Sequence, residues 1–413
     1  MFDTPTATAR HTAATPPAAA DDGAYLAQRW TDQLGEFITL RRDLHQQPEL
    51  AFEEHRTADL VASKLASWGY AVTQGLGGTG VVGQLVRGRG GKRLGLRADM
   101  DALPIAEASG APWASRRPGL MHACGHDGHT AMLLAAARRL AQDDRFSGTL
   151  NLIFQPAEEG GGGALRMMAQ GLFEQFPCDA VFAMHNMPGV PQGHLVFREG
   201  AAMASSDYAT ITLHGVGGHG AMPHLAQDPI VAAASIVMAL QTIVSRNVDP
   251  QAMAVVTVGA LQSGQANNVI PASARLELSV RALDPAVRTQ LAQRIHALVA
   301  AQADSFGVQA QIDWRPGYAV LVNSPAETEL ARATGLALRG PAGVTLQGPA
   351  MTGSEDFAFM LEQVPGSYLF IGNGGAGSRG ACMVHNPGYD FNDDNIAVGA
   401  AYWVLLAQRF LTD

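Results

Sequence analysis

The chain is predicted to adopt an α/β fold in which helices cover both faces of a mostly parallel sheet. Four short apolar runs have the length and composition of buried strands: 80–86, 93–97, 149–154 and 179–185. Further strand and helix patterns occur at 25–69 (helical, broken by Pro48), 128–142 (helix), 163–170 (helix), 367–372 (strand) and 396–411 (helix). Strands that alternate with helices form parallel sheets covered on both sides.

The middle third of the chain predicts a second, inserted domain. Its elements follow the order strand, helix, strand, strand, helix, strand, at 207–214, 228–246, 252–261, 273–282, 284–306 and 308–313. This order is the ferredoxin-like βαββαβ arrangement, and a unit of roughly one hundred residues is large enough to fold as an insertion. At 413 residues the chain is also too long for one ordinary core.

We therefore predict three regions along the chain. Residues 1–24 are a disordered leader, because they are rich in alanine, threonine and proline and lack the apolar segment of a secretory signal. The catalytic domain comprises 25–201 and 315–413, and the inserted lid or dimerisation domain comprises 202–314.

Composition and charge exclude several classes of partner. The net charge is −9 and no run of lysine and arginine occurs, so nucleic-acid binding is not expected. No apolar stretch is expected to span a bilayer. The three cysteines, Cys124, Cys178 and Cys382, form no Cys-x-x-Cys pair. Their odd number favours a reducing compartment, so we expect a cytoplasmic protein.

Residues 122–129 contain one cysteine and three histidines. Thiolate and imidazole are preferred ligands of zinc and similar metals. Cys124 and His126 are close enough to bind one ion, and the neighbouring glycines allow the chain to turn tightly around it. The apolar run that follows predicts a helix, so this cluster lies on a strand-to-helix loop, where functional residues often occur. His122 and His129 are predicted to shape the loop rather than bind metal.

Residues able to bind metal also end three predicted strands: Asp99 and Asp101, Glu158 and Glu159, and His185. Because ligands bind at the carboxyl ends of strands in open α/β sheets, we expect these groups to meet the cysteine and histidine cluster. Adjacent buried carboxylates repel one another unless a cation neutralises one of them. One glutamate is therefore predicted to bind metal, while the other takes a proton from the attacking water as general base.

Two further histidines lie later in the chain. His385, in the C-terminal segment, is a candidate to return to the metal. In the inserted domain, the glycines around His219 permit close approach of the backbone, and its imidazole suits a donor to an oxyanion. A polar turn between a strand and a helix explains this segment equally well.

These segments together resemble the M20 metallopeptidase family. Within it they resemble the amidohydrolase subfamily of hippurate hydrolases, N-acyl-amino-acid amidohydrolases and indoleacetyl-amino-acid hydrolases. The resemblance covers nearly the whole chain beyond the leader, with motifs in order at 42–50, 97–104, 121–130, 155–160, 217–224, 268–271 and 354–357. It implies a zinc-peptidase-like catalytic domain and an inserted lid that carries the dimer contacts.

The resemblance also implies roles for individual residues. Five positions match the metal ligands of the family: Cys124, His126, Glu159, His185 and His385. Glu158 matches the general base. Asp99 and Asp101 match residues beside the metals, where Asp101 would orient a ligand. His219 matches a lid histidine that reaches the substrate from the partner subunit, and Asn268 lies in a loop that would help hold the substrate carboxylate.

The implied activity is metal-dependent hydrolysis of N-acetyl-, benzoyl- or aryl-acetyl-amino acids to a carboxylic acid and a free amino acid. Cys124 favours zinc, although manganese, cobalt or nickel would also suit the mixed ligands, as one or two ions per subunit. The expected partners are a small-molecule substrate and a second copy of the chain, with neither nucleic acid nor membrane. Two alternatives stay open: a dipeptidase or carboxypeptidase of the same family, and a catalytically inactive metal-dependent binding module.

Overall fold

The computed structural model describes residues 22–412, with side chains from residue 34 onwards. The predicted leader, 1–24, lies outside the described residues except for its last three, which begin the first helix. The helices are α1 (Asp22–Gln46), α2 (His55–Ser67), α3 (His126–Ala141), α4 (Gly163–Ala169), α5 (Leu172–Gln175), α6 (Pro229–Arg246), α7 (Pro285–Ser305), α8 (Pro325–Arg339), α9 (Phe357–Leu361) and α10 (Asn395–Phe410).

The strands are β1 (Ala71–Leu76), β2 (Gly80–Arg87), β3 (Arg93–Asp99), β4 (Gly148–Gln155), β5 (Ala180–Pro188), β6 (Leu195–Val196), β7 (Gly200–Met203), β8 (Ser205–His214), β9 (Gly218–His219), β10 (Ala254–Ser263), β11 (Val269–Ile270), β12 (Ser273–Ala282), β13 (Gln309–Pro316), β14 (Leu321–Asn323), β15 (Val344–Thr345) and β16 (Gly366–Gly374). Eight of them form a large sheet in the order β1-β2-β4-β3-β5-β16-β6-β15. Its centre, β4-β3-β5-β16, is parallel, whereas β1, β2 and β6 join it as antiparallel strands.

Both faces of the large sheet are covered by helices, as predicted. Neighbouring residues of a strand point to opposite faces. On β4, Leu152 and Phe154 pack in a core with α1, α3 and α10, whereas Ile153 packs in a second core with α4, α5 and α9. Burial on both faces explains why the central strands are continuous apolar runs rather than alternating ones.

A smaller antiparallel sheet has the order β10-β12-β8-β13, and its elements follow the predicted order. Each of its two helices starts with an aspartate cap followed by proline, a strong start signal. Asp228 accepts the Ile230 N–H at 2.8 Å in α6, and Asp284 accepts the Ala286 N–H at 2.6 Å in α7. The apolar stripes of both helices pack on this sheet in a core of their own.

The chain enters the small sheet after β7 and leaves it after β13. These two crossings lie side by side, because Pro316 of β13 pairs with Asp207 of β8. The predicted insertion, 202–314, begins and ends close to them. The assignment of domains with those boundaries stays a prediction.

The expectation that no segment could span a membrane is corrected for α6. Among the described residues, α6 has the length and the apolar composition of a helix that could cross a bilayer. In the folded chain, 33% of this helix is buried. Ile236 and Leu240 pack in the core of the small sheet, while Val231 and Met238 are exposed. A core helix with one exposed apolar side passes the same criterion, and such a side is typical of a protein contact.

Candidate metal centre and active site

The C-terminal edge of the large sheet brings together side chains from distant parts of the chain. His126 begins α3 and Cys124 lies two residues before it, Glu159 follows β4, His185 lies in β5 and His385 follows β16. Cys124 Sγ lies 3.3 Å from His185 Nε2, and Glu159 Oε1 lies 3.1 Å from His385 Nε2. His126 Nε2 lies 4.0 Å from Glu159 Oε1. All five predicted ligands therefore meet in one place.

These side chains form two overlapping groups that could hold metal. One consists of Cys124, His126 and His185, and the other of Cys124, Glu159 and His385. Within each group the possible ligand atoms lie within 4.8 Å of one another. Because the groups share the Cys124 thiol, the edge offers places for one ion or for two neighbouring ions.

The donor atoms fit a divalent transition metal. His126 Nε2 is buried without a hydrogen-bond partner among the described residues, which costs about 1–3 kcal/mol. Burial, together with Glu159 and Glu158, raises the pKa of the Cys124 thiol well above its usual range. Burial lowers the pKa of His185 and keeps its ring neutral. A bound cation would offset the clustered negative charge, and His126 Nε2 could then coordinate it.

The two predicted aspartates lie beside the ligands. Asp101 Oδ1 lies 3.2 Å from His126 Nδ1, and Asp101 Oδ2 accepts the Glu159 N–H at 2.9 Å. A proton on His126 Nδ1 would leave Nε2 available to a metal, so Asp101 is placed to orient one candidate ligand and the backbone of another. Burial opposes protonation of His126, but Asp99 and Asp101 outweigh it and raise the pKa of the ring to about 10.

His122 and His129 are less suited to bind metal. His129 also lies within 4.8 Å of Asp99 and His126, but both of its ring nitrogens are occupied. Its Nδ1 donates to Asp99 Oδ1 at 2.6 Å, and its Nε2 accepts the Asn186 N–H at 3.0 Å. Burial lowers the pKa of His122 to about 4, and this side chain belongs to none of the metal-competent groups found among the described residues.

Glu158 is buried beside the ligands. Its carboxylate forms a further close group with His126 and Glu159. Burial raises the pKa of Glu158 well above its usual range, and the negative charges of Glu355 and Glu159 raise it further. A carboxyl group that can hold a proton near neutral pH suits an acid–base catalyst.

The buried guanidinium of Arg97 gathers three carboxylates next to Glu158. It donates to Asp99 Oδ2 at 2.6 Å, to Glu355 Oε1 at 2.8 Å and to Asp356 Oδ1 at 3.1 Å. Pairing of this kind is what allows charges to stay buried. Arg97, Glu355 and Asp356 lie within the motifs noted above, but nothing in their spacing predicted that they would meet.

The backbone takes unusual conformations at three points of the site. Gly125, between two ligands, has φ 88°, and a Cβ there would lie 2.3 Å from Tyr389 Oη, so only glycine fits. Ala157 and His385 are in the left-handed region without being glycine, at φ 55° and 64°. Such conformations cost about 1–3 kcal/mol each and persist only where surrounding contacts enforce them.

A cavity of about 580 Å³ opens between the ligands and the small sheet. Tyr208, Arg281 and Arg315 are among the side chains that the small sheet contributes to its lining, together with Ser206. Arg281 donates to Ser354 Oγ at 3.1 Å and to Tyr208 Oη at 3.2 Å, but no carboxylate of the described chain pairs with it. Arg281 was not predicted from the sequence, because an arginine on an alternating strand such as β12 has no distinguishing pattern.

His219 and Asn268 lie beside each other but are not part of this cavity wall. His219 of β9 pairs with Val269 of β11, and the Gly220 N–H donates to the Asn268 carbonyl at 2.8 Å. Both His219 and Asn268 are exposed. His219 Nδ1 accepts the Ala221 N–H at 3.0 Å, which leaves Nε2 as a free donor. The roles of these two residues stay predictions.

Residues 95–409 match the peptidase family M20/M25/M40. The chain belongs to this family. The match confirms the resemblance seen in the motifs and the predicted α/β fold.

Three similar proteins support this assignment. Hippurate hydrolase from Campylobacter jejuni is 44% identical over 380 residues, which cover 92% of this chain and 98% of that protein. N-acetyl-L-cysteine deacetylase from Bacillus subtilis is 38% identical over 379 residues, covering 92% and 88%. A dinuclear metal-binding M20 peptidase from Bacillus subtilis has a solved structure that is 31% identical with a TM-score of 0.79, covering 94% of this chain and 99% of that one.

The M20 chain is therefore a hydrolase that binds divalent metal. Within the described residues, the two groups that share Cys124 offer the ligands such a metal requires.

Proposed function

We propose that this M20 hydrolase cleaves the amide bond of N-acyl amino acids. The observation that carries the proposal is one cavity that is lined both by Glu158 with the candidate ligands Cys124, Glu159, His185 and His385 and by Arg281 of the small sheet. Such a cavity can place an amide at the catalytic carboxylate and a substrate carboxylate at the guanidinium. The names of two relatives, hippurate hydrolase and N-acetyl-L-cysteine deacetylase, describe reactions of this kind.

The acid–base steps fall to Glu158. When bound, a divalent metal would polarise the amide carbonyl and acidify the attacking water. Glu158 takes the proton of that water on a carboxylate oxygen and then delivers it to the nitrogen of the leaving amine. Its buried setting beside Glu355 and Glu159, which raises its pKa, suits it to hold the proton between the two steps.

The part of the cavity that is lined by the small sheet would select a substrate with a free carboxylate. Arg281 has unpaired donor capacity there, and a guanidinium binds carboxylates with matched geometry. Asn268, the residue predicted from the family resemblance for this role, is not part of the lining of this cavity, so we assign the substrate carboxylate first to Arg281.

Part of the cavity lining is apolar and would suit an acyl group. This part includes Met187, Met203, Met351, Phe370 and Met383. The carboxylates that the described residues contribute to this cavity, those of Glu158, Glu159 and Glu355, all lie at the metal end. A free amine on the substrate would find no acidic partner in the acyl pocket, which favours N-acyl amino acids over dipeptides.

We also propose that zinc is the resident metal and that two ions bind. The thiolate of Cys124 favours zinc over harder cations, and the two ligand groups that share it provide two places. Metal analysis of the purified protein tests both statements.

A homodimer joined through the small sheet is the proposed assembly. The apolar residues Val231 and Met238 of α6 are exposed, and the outer edge of β10 is unpaired within the described chain. Exposed apolar sides and open strand edges are covered in stable proteins. A second copy would bring the free Nε2–H of His219 to the cavity of its partner, as a donor to the oxyanion that develops on the amide.

Hydrolysis of a substrate panel tests the proposed activity. The panel contains benzoyl- and acetyl-amino acids together with dipeptides, and we expect turnover of the acyl compounds in preference to the dipeptides. Glu158→Gln should lower kcat by about 10²-fold or more while metal content is retained. Wild-type turnover by a metal-loaded E158Q protein would refute the base assignment, and preference for dipeptides would refute the substrate class.

A further inference from the structure

We propose that Tyr318 is a positioning residue that ties the turn bearing the general base to the crossing between the two sheets. The turn, residues 157–162, is called here the base turn. The proposal rests on the proposed function, because it takes Glu158 as the base. Tyr318 lies between β13 and β14, where the chain returns from the small sheet.

The hydroxyl of Tyr318 makes three contacts with the backbone of the base turn. It donates to the carbonyl of Glu158 and accepts the N–H of Gly160 at 2.8 Å and that of Gly162 at 3.2 Å. One donor and two acceptor positions are the full capacity of a hydroxyl group. A single oxygen atom therefore bridges the carbonyl of the base and two amides that follow it.

The base turn needs such anchors because it is strained. Ala157, directly before Glu158, has a positive φ of 55°. Two other anchors come from the large-sheet part of the chain: Glu54 Oε1 accepts the Ala157 N–H at 2.9 Å, and Asp101 Oδ2 accepts the Glu159 N–H at 2.9 Å. Tyr318 is the anchor that comes from the crossing, and strained backbone is held only by such converging contacts.

The backbone of Tyr318 is in turn bonded to the other crossing. The Ser206 N–H donates to the Tyr318 carbonyl at 3.0 Å, and the Tyr318 N–H donates to Ser206 Oγ at 3.1 Å. Next to them, Asp207 accepts the Gly317 N–H at 3.1 Å and is paired with Arg288 of α7. A change in the angle between the sheets would move the Tyr318 hydroxyl, and with it the carbonyl of Glu158.

The hydroxyl can be separated from the ring. The ring of Tyr318 packs edge-on against Phe359, with centroids 6.0 Å apart, and Tyr318→Phe keeps this contact. Tyr70 offers a matched control, because its hydroxyl also donates to a backbone carbonyl, that of Ala137 at 2.8 Å, away from the cavity. Tyr70→Phe therefore removes a comparable hydrogen bond without touching the site.

The kinetic experiment compares both variants with the wild-type holoenzyme. We expect Y318F to lower kcat about 10- to 100-fold, the scale of a small displacement of a catalytic group, with KM and metal content unchanged. Y70F should retain wild-type kcat. Equal kcat for the two variants, or loss of metal from Y318F, would overturn the proposal.

A second variant tests the link between the crossings. Ser206→Ala removes the side-chain acceptor of the Tyr318 N–H, and we expect it to lower kcat several-fold in the wild-type background but not in Y318F. Equal effects of S206A in both backgrounds would show that Ser206 does not act through the Tyr318 hydroxyl.

Hydrogen exchange supplies a readout that needs no substrate. Peptides covering the base turn should exchange faster in Y318F than in the wild type, and at the wild-type rate in Y70F. Unchanged exchange in Y318F would contradict the contact itself. If the wild type hydrolysed no N-acyl amino acid while exchange increased in Y318F, the proposed function would fail and the anchoring of the turn would stand.

Discussion

The edge of the large sheet and the two-stranded β9–β11 sheet, which follows the end of β8 and is called here the tip, both contain histidines expected to act on one substrate, yet they are built differently. At the edge, His126 and His185 are surrounded by side chains from several segments. At the tip, His219 is exposed, and the hydrogen bond to its ring comes from Ala221, two residues away. A single chain supplies all the candidate ligands at the edge. At the tip, the His219 Nε2–H has no acceptor among the described residues. The difference supports the proposal that the candidate ligands act within one subunit and that His219 acts on a second copy.

The largest loss of activity and of metal binding is expected at Cys124, which both candidate ligand groups share. Cys124→Ala should abolish activity and weaken metal binding by more than the 10–100-fold that is typical for residues behind the ligands. Metal content after dialysis against a chelator measures the effect. Cys178→Ala, at a half-buried cysteine outside the ligand groups, serves as the control. Full metal retention by C124A would show that the Cys124 thiol is not a metal ligand.

The tip is tested by His219→Ala, which should lower kcat about 10²–10³-fold, the usual loss for an oxyanion donor, with metal content unchanged. His224→Ala, at an exposed histidine of the same segment, is the control.

Mixing H219A with E158Q separates action within a subunit from action across a dimer. Half of the randomly mixed dimers contain one chain of each kind, and each of these has one complete site, so about a quarter of wild-type activity should return. Absence of any recovery, in chains shown to exchange, would mean that His219 serves its own subunit.

Substitution of Arg281 should change the binding of the substrate more than the rate of the chemical step. Arg281→Met should raise KM for N-acyl amino acids roughly 10- to 100-fold with little change in kcat, because the carboxylate is held equally in the ground and transition states. A substrate whose carboxylate is replaced by an amide should bind both proteins equally weakly. Arg294→Met, at an exposed arginine of α7, is the control. An unchanged KM in R281M would mean that another residue, such as Asn268, binds the substrate carboxylate.

The smallest expected effect concerns stability behind the ligand edge. His45 Nδ1 lies 2.9 Å from Asp127 Oδ2, next to the ligand His126. Burial opposes protonation of His45, but Asp127 outweighs it and raises the pKa from 6.5 to about 9. The stabilisation is thus fully present below pH 6.5 and is lost as the pH rises through 9. His45→Gln should lose at most about 3 kcal/mol of unfolding free energy at pH 6, and less at pH 10.

Chelator-treated wild-type and H45Q proteins, unfolded in urea across this pH range, test the prediction. A difference in unfolding free energy that stays constant with pH would contradict it.

Much of this protein could be predicted from its sequence because the relevant physics is local or periodic. Continuous apolar runs predicted the buried central strands, and aspartate followed by proline is the signal that begins α6 and α7. The metal-competent residues are recognisable because thiol, imidazole and paired carboxylates occur where strands end. The parallel centre of the large sheet then explains why residues so far apart in the chain meet.

Other features were decided by the tertiary structure alone. Arg281 and Tyr318 are ordinary residues in the sequence, and they reach the cavity and the base turn because the two crossings place the small sheet over the ligand edge. The exposed side of α6 and the distance of His219 from the cavity likewise depend on how the two sheets are joined. Local patterns specify which face of an element is buried, but they contain no information about which distant surface that element will meet.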